Sequence, residues 1–208
     1  MKSILYIHGM GGGADSRIPS ILAEALVGRV DVCVRTYDFD PEIAWGQICS
    51  WVEEVKPDLV IGESLGSLHA MRITGVPLLF VSPALNAPLY FELMAWLTLI
   101  PGMTLLFDRI YRPREGDRQK LHFTYRTLRK YRAHRKSAIK SAITRGEDKP
   151  FSAFFGSEDH YRKSGVVSIR TWEKYFGASF TIYEGTHFME DDPIFSLLVP
   201  AVLKVLDF

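Results

Sequence analysis

Six short apolar runs punctuate the chain, at residues 4–7, 30–36, 59–61, 78–81, 151–155 and 180–183, each bounded by turn-forming residues. Their Val, Ile, Leu and Phe content lacks the polar alternation of a half-solvated strand. That predicts strands of a parallel sheet, buried on both faces. Between them the spacing becomes helical. Ile18, Ile21, Leu22, Ala25 and Leu26 share one face of a helix over 16–28, and further helices are expected over 42–55, 64–74, 167–176 and 194–206, with Asp191, Asp192 and Pro193 starting the last. Strands alternating with helices predict an α/β fold, doubly wound, with a mostly parallel sheet of about six strands.

The rhythm breaks after Ser82, and no further strand pattern is met until Pro150. The expected division is a core of residues 1–83 and 150–208 interrupted by a helical cap at 84–149. The first half of this insertion, around 91–107, is apolar and aromatic, so Phe91, Met94 and Trp96 are candidates to line a pocket, alongside Tyr90, Leu93, Leu97, Leu99, Ile100 and Met103. The same apolar face could instead pair two copies of the chain, so both monomer and homodimer stay open. The second half, over 117–143, is expected to be helical and is strongly basic.

Charge sharpens that contrast. Between Arg109 and Arg145 thirteen Lys or Arg face two acids, Glu115 and Asp117, a net +11; the rest holds twelve Lys or Arg against twenty-two acids, a net −10, so the overall +1 is an average of unlike parts. Such a block can attract anions, but it equally fits the solvated face of a helix resting on an acidic body. A nucleic-acid partner is the less expected of the two. Composition excludes the non-globular classes: 47% hydrophobic, 24% charged and 12% aromatic residues, with 16 Gly and 11 Pro, are ordinary for a packed domain. The two cysteines, Cys33 and Cys49, are too few for a disulfide framework and are expected to be reduced. No secretory leader is legible at the amino terminus and no apolar run reaches the roughly 20 residues of a membrane span, so a cytoplasmic protein is expected.

The chemistry gathers around Gly62-Glu63-Ser64-Leu65-Gly66, a G-x-S-x-G sequence placed after a strand pattern and before a helical one. A sharp turn presenting Ser64 in a strained conformation leaves no room for side chains two residues to either side, which accounts for Gly62 and Gly66. A serine hydroxyl needs a base to take its proton and a third group to orient that base. His187 follows the last strand pattern, and Asp159 follows the one before it, with Glu158 an alternative acid. His160 and His69 read as packing or supporting groups. After the first strand, the glycine-rich loop holding Gly9 and Met10 can approach a substrate oxygen closely, so the Met10 and Leu65 backbone amides are candidates for an oxyanion hole. The same glycine run lacks both the spacing and the lysine of a nucleotide-binding loop.

The His8-Gly9 loop, the Gly62–Gly66 elbow, the Gly156-Ser157-Glu158-Asp159 turn and the Gly185-Thr186-His187 loop resemble, in that order, the α/β-hydrolase family. The short length, the early His-Gly loop and Val81-Ser82-Pro83-Ala84 resemble the small bacterial YqiA-like esterases within it, from which the long basic insertion departs. The resemblance implies a nucleophile role for Ser64, a base role for His187, an orienting role for Asp159 and oxyanion roles for the Met10 and Leu65 amides. It further implies that a small carboxylic ester or thioester is cleaved through an acyl-enzyme, with no metal and no organic cofactor. Two other classes remain open at this point: acyl transfer to an acceptor other than water, and a binding protein that keeps the fold without turnover and uses the basic segment.

Overall fold

A computed structural model describes residues 1–113, 115–146 and 149–207. Arg114 of the basic block, and residues 147 and 148 of the insertion, lie outside the described residues. Six parallel strands form one sheet in the order β2-β1-β3-β4-β5-β6: β1 Lys2–Ile7, β2 Val30–Val34, β3 Leu59–Glu63, β4 Leu78–Val81, β5 Phe151–Gly156 and β6 Phe180–Tyr183. Successive side chains along a strand point to opposite faces, and the core is divided accordingly. Leu5, Ile7, Val60, Leu78, Phe80, Ala153 and Phe155 belong to one buried cluster, while Ile4, Tyr6, Leu59, Ile61, Leu79, Val81 and Phe154 belong to the other. This is why the central strands read as continuous apolar runs: β3 and β4 are buried at almost every position, whereas the edge strands β2 and β6 are partly exposed.

Helices cover both faces. On one lie α1 (Arg17–Ala25) and the carboxyl-terminal helical segment; on the other lie α2 (Pro41–Val55), α3 (Ser67–Ala70), α6 (Tyr125–Thr144) and α8 (Ile169–Phe176). Each start has a local cause. Asp40 caps α2 by accepting from the Glu42 amide, with Pro41 at the first helical position, and Thr124 caps α6 by accepting from the Thr127 amide.

The structure corrects several expected boundaries. The helix expected over 64–74 is a 3₁₀ turn at Ser64–Gly66 followed by the short α3, because Ser64 itself is held at φ +48°. The final helix is three pieces: α9 (Asp191–Pro193), a π turn at Ile194–Leu198 and α10 (Val199–Val205); Pro200, which has no amide to donate, lies just beyond the π turn. In the insertion, α4 (Ala87–Leu97) and α5 (Met103–Ile110) are separated at Pro101-Gly102, where Gly102 adopts φ +86°. The basic helix α6 starts at Tyr125 rather than near 117, and a short helix α7 (His160–Ser164) follows β5 without having been anticipated.

Helix α6 is as much a core element as a cap. Leu128, Tyr131, Ala138 and Ala142 are buried in the same cluster as the sheet, and several of its basic residues are engaged within the protein. Lys130 bridges Asp40 at 2.6 Å and Glu42 at 2.7 Å, Arg132 meets Glu92 at 2.9 Å, and the Arg135 guanidinium donates to the Leu85 carbonyl and the Asn86 side-chain oxygen. Part of the +11 segment is therefore paired inside the protein, Lys130 with acids of the body it rests on and Arg132 with Glu92 of α4. Among the described residues no helix is long and apolar enough to cross a membrane.

Candidate active site

A parallel sheet brings the loops after its strands to one edge, where doubly wound folds place their ligands. The loop after β1 carries Gly9 and Met10, the turn after β3 carries Ser64, the turn after β5 carries Asp159, and the loop after β6 carries His187. The 3₁₀ turn and α3 pivot on the two glycines. A methyl on Gly62 would lie 2.8 Å from the Ala70 Cβ and 2.9 Å from the Ser67 Cα; one on Gly66 would lie 2.3 Å from the His8 carbonyl oxygen and 2.4 Å from that of Ile7. Backbone cannot yield as a flexible side chain can. Gly66→Ala is therefore expected to destabilise the protein by about 3 kcal/mol, read as a fall in soluble yield and melting temperature; a variant that melts with the wild type would refute this account of the elbow.

Ser64, His187 and Asp159 form a continuous relay. The Ser64 hydroxyl lies 2.9 Å from His187 Nε2, and His187 Nδ1 lies 2.7 Å from Asp159 Oδ2. A carboxylate only accepts, so Nδ1 carries the proton and donates to Asp159, leaving Nε2 free to accept from the serine. His187 and Asp159 are each about 3% exposed. The other Asp159 oxygen accepts from the Tyr161 amide at 2.8 Å and so caps α7, fixing the carboxylate at both ends. Glu158 is exposed, and its amide instead donates to the Gly185 carbonyl. His160 is exposed too, its ring 4.0 Å from that of Tyr161.

The surrounding loops are pinned. The Ala84 amide donates to the Ser64 carbonyl, the Arg17 guanidinium donates to the carbonyls of Phe188 and Met189 and pairs with Asp191, and the Glu190 carboxylate accepts from the Thr186 amide. Gly9 stands over the serine, where a methyl would come within 3.0 Å of the Ser64 Cβ. Arg17 carried no local signal in the sequence, because its role exists only where α1 meets the loop after β6.

In front of the serine is a cavity of about 370 Å³ lined by Gly9, Met10, Glu63, Leu65 and His187 together with apolar groups from several elements. Phe91 and Met94 line it, with Tyr90 and Leu93. Trp96 does not: its ring packs edge-on against Tyr125 at 5.4 Å and is more than half exposed. The helical repeat turns Trp96 away from the face that carries Phe91 and Met94. The lining that sequence reasoning missed, Tyr111, Phe123, Tyr161 and Val166, comes from segments distant in the chain.

Beneath the glycine loop runs a file of buried rings. His8 stacks on Tyr37 at 4.2 Å, Tyr37 meets His69 at 5.1 Å, and His69 meets His134 at 4.3 Å; the Tyr37 hydroxyl also donates to the His8 carbonyl. His8 Nδ1 donates to the Gly9 carbonyl, and His134 Nδ1 accepts from Arg72, whose guanidinium lies 3.9 Å over Trp45. Burial pushes His8 down to about 4, pushes His134 down to about 3 with help from the Arg72 charge, and holds His69 well below its ordinary value. These imidazoles are neutral in the folded chain and take up protons on unfolding at a pKa near 6.5. Their contribution is therefore complete above about pH 6.5 and is lost as pH falls towards 4. His8 and His134 should each lose about 2 kcal/mol between pH 6.5 and 5, lowering the melting temperature by roughly 10 °C, and His134→Leu should flatten that dependence. Equal melting temperatures at pH 5 and 7 would refute it.

Among the described residues no cluster of three or more His, Cys, Asp or Glu is placed to hold a metal. No protein-family model matches the chain, and no curated protein matches it. Solved structures do. The chain is similar to the Paleococcus ferrophilus monoacylglycerol lipase (18% identity, 97% of this chain and 92% of that one, TM-score 0.61) and to a lipase in its open form (15%, 100% and 91%, 0.68). It is also similar to the thioesterase domain of the curacin biosynthetic pathway (15%, 98% and 91%, 0.62). With the sheet order and the strand-to-helix elbow, these likenesses establish that the chain has the α/β-hydrolase fold.

Proposed function

We propose that the protein is a serine hydrolase that cleaves a carboxylic ester or thioester through an acyl-enzyme on Ser64. The observation that carries this is the Ser64–His187–Asp159 relay opening into an apolar cavity. A base within hydrogen-bond reach of a hydroxyl, itself oriented by a buried carboxylate, is what nucleophilic catalysis by serine requires and what a binding module has no use for.

In this reading His187 takes the Ser64 proton as Oγ attacks the carbonyl carbon, and Asp159 holds the imidazole in the accepting tautomer and steadies the imidazolium that forms. The amides of Met10 and Leu65 stabilise the oxyanion, each worth roughly 3 kcal/mol of barrier; the presence of both residues in the cavity wall beside Ser64 supports the assignment. His187 then returns the proton to the departing alcohol or thiol and activates water against the acyl-enzyme. No step calls for a cofactor or metal. The acyl chain lies along Phe91 and Met94 of α4, so α4 and α5 act as the cap, while α6 ties that cap to the core. The small, largely apolar cavity beside Ser64 supports a small-molecule substrate. The lipases and the thioesterase domain among the similar folds support this reaction class, and the resemblance to YqiA-like esterases supports a small ester.

Assaying chromogenic esters and acyl thioesters of graded chain length, with product analysis in the presence of added alcohols, tests the proposal. Turnover released to water is expected. Folded protein that turns over none of them refutes the reading, and product carried wholly to the alcohol would reassign it as acyl transfer.

A further inference from the structure

We propose that the face formed by α4, the turn after it and α5 docks on an anionic lipid surface, with the mouth of the cavity opening into that interface. Leu93, Trp96, Leu99, Ile100, Leu105 and Ile110 are each more than half exposed, on consecutive elements within eighteen residues. Scattered exposed apolar residues are ordinary, but a run of large ones on adjoining elements marks an interaction surface. The same helices bury Ala87, Pro88, Phe91, Ala95 and Phe107 in the protein.

The exposed face is continuous with the cavity. Leu93 on α4, Tyr111 at the carboxyl end of α5 and Phe188 beside His187 all line it, and all are at least 40% exposed. The two helices therefore bracket the mouth with apolar groups that water solvates poorly.

Charge decides what fits there. The acids of α4 and α5 are turned back to the body: Glu92 pairs with Arg129 and Arg132, and Asp108 pairs with His122 and accepts from the Phe123 amide. Arg109 and Arg112 remain exposed, with no carboxylate partner among the described residues. A face that is apolar at its centre and cationic at its edge is the pattern of an interfacial helix on anionic lipid. The docking is independent of the enzymatic reading; only the corollary, that substrate enters from the lipid side, rests on it.

The experiment floats the full chain carrying Ser64→Ala, so that no lipid is cleaved, with vesicles of phosphatidylcholine alone or mixed two to one with phosphatidylglycerol. Co-flotation with the anionic vesicles that weakens with added salt is expected, and little with phosphatidylcholine alone. Arg109→Glu/Arg112→Glu should lower partitioning by at least about 30-fold at low salt, and Leu105→Asp/Ile110→Asp by at least about tenfold, with unchanged melting curves because these side chains are exposed. Failure of the parent to float with either vesicle, or flotation unchanged in both double variants, overturns the proposal. So does a dimer in sedimentation velocity that Leu105→Asp/Ile110→Asp splits. Binding to vesicles by a wild type inactive on esters would leave the docking standing and remove the enzymatic reading alone.

Discussion

Ser64→Ala is expected to abolish covalent labelling by a fluorophosphonate probe and to lower kcat/KM on any ester the wild type accepts by at least about 10⁴-fold, as removing the nucleophile of a serine triad does. His187→Ala should lose labelling as well, because the probe reacts only with a serine whose proton has somewhere to go. A third variant separates chemistry from folding. Ser64 sits at φ +48°, a conformation that an L residue adopts at a cost and glycine adopts freely. Ser64→Gly should therefore be inactive yet melt higher than Ser64→Ala, by an amount equivalent to roughly 1 kcal/mol. Labelling that survives in folded Ser64→Ala would place the nucleophile elsewhere.

Asp159→Asn should lower kcat by roughly 10³- to 10⁴-fold with little change in KM. Asparagine keeps the oxygen that caps α7 through the Tyr161 amide, so the loop stays in place. Its amide, however, presents a donor to Nδ1, which drives the imidazole proton to Nε2 and leaves the ring unable to accept from Ser64. The loss is one of tautomer, not of structure. Asp159→Ala removes the cap too and should cost about a further 1 kcal/mol of stability. Glu158→Gln, at an exposed position outside the relay, should be nearly silent. Comparison of kcat, KM and melting temperature across the three checks the assignment; activity of Asp159→Asn within tenfold of wild type would overturn it.

Both predictions concern residues that the sequence already singled out, and the reason is local. The elbow is written in five consecutive positions because its steric demands fall within one turn: Gly62 and Gly66 abut Ala70, Ser67 and the carbonyls of Ile7 and His8, so any side chain there would collide. Strand positions were legible because burial on both faces leaves short unbroken apolar runs in β1, β3 and β4, at residues 4–7, 59–61 and 78–81. Strand order along the chain placed an acid after β5 and a histidine after β6 and favoured Asp159, with Glu158 the alternative. Both follow β5, and only the closing of α7 turns one carboxylate inward and leaves the other in solvent.

What the sequence determined by itself was therefore everything whose cause lies within a few residues: period, turn chemistry, the strained serine and the asymmetry of charge. What only the tertiary structure decided was every relation across the sheet. Trp96 read as part of the pocket because it is large and apolar, yet the phase of α4 against its neighbours turns it outward while Phe91 faces in. The basic segment read as the solvated face of a helix resting on an acidic body or as a ligand-binding face, but which acids it meets was decided by packing: Lys130 finds Asp40 and Glu42 some ninety residues earlier because α6 packs beside α2. The file of His8, Tyr37, His69 and His134 left no trace in the sequence for the same reason: its members come from four separate segments, and the packing of α3 and α6 beside the loops after β1 and β2, not proximity in the chain, sets them side by side. Local sterics are encoded where they act; contact between distant segments depends on how whole elements pack, which no short window of sequence contains.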